Sequence, residues 1–101
     1  MLKLSKQPIP TTLLHEDQEV NIHGIPFRVY KNVGWYLRGC YLHTHDVNEL
    51  EDALHNAGQP TLESLAKSYG GEGYLNRGIF PEFDSKENLS LFYNMLKNIL
   101  E

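Results

Sequence analysis

Residues 85–101 read SKENLSLFYNMLKNILE, and the fold class turns on this stretch. Leu89, Phe92, Tyr93, Leu96, Ile99 and Leu100 recur at spacings of three, four and seven, which puts them along one side of a helix. Lys86, Glu87, Ser90, Asn94, Lys97 and Asn98 fall mostly on the other side. Asp84 followed by Glu87 has the spacing of an N-cap and its reciprocal partner, so a helix is expected over about 85–100. A helix this short is marginal alone in water and must draw its stability from burying the apolar face. It needs a flat apolar partner.

The middle of the chain supplies that partner. From Glu19 to His43 the hydrophobic period shortens to two. Val20 and Ile22 alternate with polar neighbours, Phe27 and Val29 oppose Arg28 and Tyr30, and Trp35, Leu37 and Tyr41 oppose Tyr36, Arg38, Cys40 and Leu42. His23-Gly24 and Asn32-Val33-Gly34 break the pattern as turns do. This predicts a three-stranded antiparallel meander over about 19–43. Two further helices follow. Asp46 with Glu49 repeats the capping spacing, Leu50, Ala53, Leu54 and Ala57 form a stripe, and Gly58 stops it, giving a helix over about 46–57. Leu62, Leu65, Ala66 and Tyr69 give another over about 61–69, with Gly70 as its stop. Upstream, Pro8 and Pro10 keep residues 1–18 extended; Leu13 and Leu14 tack them to the core, and His15, Glu16 and Asp17 face water. The expected fold is α+β: one small domain, 1–101, with the meander packed against three helices.

Composition narrows the function classes. With 101 residues the core is small, and a net charge of −4 without a basic stripe argues against a nucleic-acid partner. Cys40 is the single cysteine, so no intrachain disulfide forms, and it reads as a buried structural residue. No apolar run approaches a membrane span, and MLKLSKQPIP is not built as a signal peptide, so a cytoplasmic location is expected.

The densest set of metal-ligand types is His43, His45, Asp46 and Glu49. Two imidazoles and a carboxylate would suit zinc, but Asp46 and Glu49 serve equally as a capping box, and capping is the preferred reading. No cofactor is expected. The loop GGEGYLNRGIFPEF, residues 70–83, lacks the third glycine of a dinucleotide fingerprint and follows a helix, and no Gly-Lys-Ser/Thr occurs anywhere. Thr61 to Gly70 resembles the first helix and turn of the helix-turn-helix pattern. Gly71 and Asn76 then stand where that pattern wants apolar residues, and Gly73 and Gly78 would weaken a recognition helix.

A recognition surface remains. Tyr36, Arg38, Tyr74, Asn76, Arg77 and Phe80, with Phe83 nearby, include the rigid rings and forked cations that dominate binding hot spots, in or beside the least regular segment. Core filling competes with this role for Tyr74, Leu75, Ile79 and Phe80, and for the apolar ones it is the preferred reading. The sequence therefore predicts a non-catalytic protein-binding module, an accessory or inhibitor protein such as a phage-encoded one. The alternative is a small-molecule binder or sponge, with the 70–83 loop walling a pocket for a nucleotide-like or other anionic ligand. A metal-dependent enzyme using His43 and His45 ranks below both. A second copy covering the sheet is a reasonable expectation for so small a chain.

Overall fold

The computed structural model describes residues 13–40, 44–73, 75 and 78–101, with the backbone alone at 44–46. The described elements follow in the order β1 (Glu19–Ile22), β2 (Ile25–Lys31), β3 (Trp35–Gly39), α1 (Thr44–Asn56), α2 (Leu62–Ser68), β4 (Gly71–Glu72), β5 (Glu82–Phe83) and α3 (Lys86–Leu100). The architecture is α+β, three helices with an antiparallel sheet.

The first three strands form the meander that the alternation predicts. His23 and Gly24 take φ of 56° and 79°, the two left-handed positions of a tight hairpin turn between β1 and β2. The sheet then exceeds expectation. Strand β5 pairs with β3 and β4 with β5, so the order is β1-β2-β3-β5-β4 and the three-stranded expectation becomes five. The extra strands hold two residues each, too short to display a period of two. Between them and β3 the register slips: Arg38 opposes Ile79 while Trp35 opposes Phe83, three steps on one side against four on the other. That extra residue makes a bulge, and Pro81, which has no N–H for a ladder, sits inside it.

Helix α3 lies against β1, β3 and β5, and α1 packs against α2 and α3. Its apolar side does what the periodicity demands: Leu89, Phe92, Tyr93 and Leu96 are buried, Ile99 and Leu100 half-buried. Phe92 is the hub, with ring centroids of Phe83, Phe80 and Tyr69 at 5.1, 6.1 and 6.4 Å. Phe27 meets Phe80 edge-on at 5.2 Å from the sheet side. Ser90, expected on the polar side, is fully buried. Its Oγ accepts from Leu14 N at 2.8 Å and donates to Lys86 O at 2.7 Å, tying the segment before β1 to α3. Leu14 is buried there while His15, Glu16 and Asp17 face water, as expected, but Leu13 is exposed and does not join the core.

The caps correct two details. Ser85, not Asp84, caps α3, its side chain accepting from Asn88 N at 3.1 Å. Helix α1 already runs from Thr44, so Asp46 lies within it and is not its cap. The stops are as predicted. Gly58 has φ of 74°, with Gly58 N donating to His55 O and Gln59 N to Leu54 O, the paired bonds of a Schellman end. Carboxylates tie helices to neighbouring chain: Glu51 accepts from Leu62 N at 3.1 Å, and Glu63 from Leu75 N at 2.8 Å. At the far end, Glu101 accepts from Lys97 Nζ at 2.7 Å and from His23 N at 3.0 Å. Among the described residues no helix is long and apolar enough to cross a membrane.

Candidate functional site

The pleat of the sheet sorts its residues into two faces. Ile25, Phe27, Val29, Leu37 and Phe83 point into the core, so Arg28, Tyr30, Tyr36, Arg38 and Glu82 point away from it. Among the described residues the main helix contacts of the sheet, α3 with β1, β3 and β5 and α2 with β4 at Gly71, are made on the core side, and none is made on this second face.

Tyr36 and Arg38, both candidates from sequence, stand side by side on this open face. Cross-strand pairing adds two residues that the candidate set omitted: Tyr30 opposes Tyr36, and Arg28 opposes Arg38. The tyrosine rings stack at 5.6 Å with 17° between their planes, and the Arg38 guanidinium lies 5.4 Å from the Tyr30 centroid. The result is a three-layer stack of one guanidinium and two rings, all half-buried. A guanidinium lying over a ring keeps its N–H fork free for a planar acceptor. Arg28 is engaged otherwise, with Glu19 at 3.5 Å and the Asp17 carbonyl at 3.2 Å. Among the described residues no carboxylate pairs with Arg38. The signal for Tyr30 and Arg28 was present in the sequence, since both share the strand parity of the candidates one strand away.

Beyond this stack the face turns acidic. Glu72 opposes Glu82 across β4 and β5. Glu82 Oε1 accepts from Gly34 N at 2.8 Å, which draws the β2–β3 turn against β5. Gly34 is required there, because a Cβ would stand 2.8 Å from the Phe83 carbonyl oxygen. An open depression of about 540 Å³ lies beside this contact, lined by Val33, Ile79, Pro81 and the carboxylates of Glu72, Glu82 and Asp84 among others.

The remaining candidates fall elsewhere. Phe80 is 1% exposed, and its ring belongs to the core between Phe27 and Phe92 rather than to a contact surface. Phe83 is likewise buried. Tyr74, Asn76 and Arg77 lie outside the described residues, as does His43. His45 and Asp46 lie on α1 with their side chains outside the description, and Glu49 is exposed on the same helix. Among the described residues no three His, Cys, Asp or Glu side chains come together as a metal site. Cys40 is exposed, which overturns its expected burial: the strand parity that turns Arg38 outward turns Cys40 outward too. Comparison with protein-family models, with curated proteins and with solved structures found no match.

Proposed function

We propose that this chain is a small protein-binding module, without catalysis, whose contact surface is the open sheet face next to the 70–83 segment. The observation that carries the reading is the Arg38–Tyr30–Tyr36 stack on a face that no described helix covers. Rings and guanidinium are held before a partner arrives, so little side-chain freedom is left to lose on binding. Tyr and Arg are also the residue types over-represented where interfaces concentrate their energy. An accessory or inhibitor protein, such as a phage-encoded one, has this character: it acts by covering a surface on something else.

A nucleotide-like ligand fits less well. Tyr30 and Tyr36 turn ring faces toward one another, which removes those faces as platforms for a base. The nearby depression carries the carboxylates of Glu72, Glu82 and Asp84, which would repel phosphate.

Crosslinking tests the placement. A photoreactive residue in place of Tyr36 is expected to trap a partner from lysate, and Arg38→Glu to abolish capture. The same residue in place of Leu91, exposed on α3, is expected to trap none of that partner. Equal capture by wild type and Arg38→Glu would place the contact elsewhere. A nucleotide panel that raises the melting midpoint would favour the ligand reading.

A further inference from the structure

The open face carries two like-charge pairs of opposite sign. Arg28 stands directly opposite Arg38 on β2 and β3, and Glu72 directly opposite Glu82 on β4 and β5. Like charges facing each other across strands destabilise a sheet, by amounts of the same order as an opposite-charge pair contributes, about 0.2–1 kcal/mol. Two such pairs on one small sheet bring no benefit to an isolated chain. Arg28 is partly compensated by Glu19, and Glu82 by Gly34 N, but among the described residues no ion pair neutralises Arg38 or Glu72.

We infer that this face pairs with the same face of a second copy of the chain, the basic pair of one protomer over the acidic pair of the other. The inference rests on the reading of the open face as a contact surface and names the occupant. An interface between identical chains must be self-complementary across its two-fold axis. Here the two pairs occupy different strands of one face, β2 and β3 against β5 and β4. Their midpoints lie two strand spacings apart across the sheet, about 10 Å. An axis lying in the interface between them sets β3 over β5 and β2 over β4 of the other protomer, so Arg38 meets Glu82 and Arg28 meets Glu72, and does so twice. Tyr36, on β3 beside Glu82, falls near the axis and meets its own copy. The helices stay outside, giving a sandwich of two sheets.

The open face is smaller than a large obligate interface. Five strands span about 20 Å across, two of them only two residues long, so a dissociable dimer is expected.

Charge reversal decides the matter. Sedimentation equilibrium of the wild-type chain over a wide concentration range is expected to give a monomer–dimer equilibrium weakened by salt. Arg38→Glu alone and Glu82→Lys alone are each expected to raise the dimer dissociation constant by at least about tenfold. Mixed in equal amounts, the two variants are expected to form a heterodimer, because each reversed charge then faces its opposite. Circular dichroism confirms that both variants are folded, and restored association on mixing is itself a control for folding. Monomeric wild type at high concentration would overturn the inference, as would a dimer that ignores both reversals or variants that fail to recover on mixing. The contact-surface reading is judged separately: capture of another protein at Tyr36 by a monomeric wild type would keep that reading while removing the second copy as occupant.

Discussion

The two faces of this sheet are built from the same strands by opposite rules. On the helix side every large ring has a neighbour, and the buried hydroxyl of Ser90 has both a donor and an acceptor. On the open side, like charges oppose like charges, and Arg38 lies on Tyr30 without a carboxylate among the described residues. The difference separates what folds the chain from what the chain presents. Stability lives on one face; the charges of the other contribute little to it, and on the proposed reading they serve a contact.

The contrast is broken most severely at Phe92. Phe92→Ala removes the ring that Phe80, Phe83 and Tyr69 converge on, and is expected to cost about 3–5 kcal/mol. For so small a chain that approaches the whole stability, and denaturant unfolding should find the variant largely unfolded. Next is Ser90→Ala, which leaves the Leu14 N–H without its acceptor at a buried position. A loss of about 1–3 kcal/mol is expected, read as a lower urea midpoint with unchanged slope.

The open face should respond differently. Arg38→Gln loses a cation–ring contact of about 0.5–1 kcal/mol but also relieves the repulsion from Arg28. The two nearly cancel, so folding stability should stay within about 0.5 kcal/mol of wild type while association falls. A loss as large as that for Ser90→Ala would make Arg38 a folding residue and erase the distinction between the faces.

The smallest effect is at the end of α3. The hydrogen bond from Lys97, and then the one from His23 N, hold the Glu101 carboxyl below its ordinary value; the same Lys97–Glu101 bond holds Lys97 above its own. Stability from Glu101 is therefore present above the ordinary carboxylate range and lost as pH falls through the lowered folded value. The Lys97 share is present below the ordinary lysine range and lost as pH rises through the raised one. Both groups are largely in water, so Glu101→Gln should cost no more than a few tenths of a kcal/mol near neutral pH. Its acid melting profile should be flatter than that of wild type.

Much of the fold was legible because burial imposes a period. The stripe through Leu89, Phe92 and Leu96 and the alternation through Phe27, Val29 and Leu37 each required a face. Two-residue strands have no period to read, so β4 and β5 looked like loop, and with them went the pairing of Glu72 with Glu82. Phe80 was open to two readings, contact or core filling, and the preferred core reading is the one that its ring between Phe27 and Phe92 bears out. Cys40 carried an error, since cysteine's general taste for burial was set above the parity of its own strand. The cap of α3 fell one residue late because Asp84 and Ser85 are both good caps, and composition does not choose between them.

The most direct test of the open face as the contact surface is hydroxyl-radical footprinting of dilute and concentrated protein. The rings of Tyr30 and Tyr36 are expected to become protected as the protein associates, with Leu91 on α3 labelled equally in both. Protection of Leu91 with unchanged labelling of the two tyrosines would contradict it.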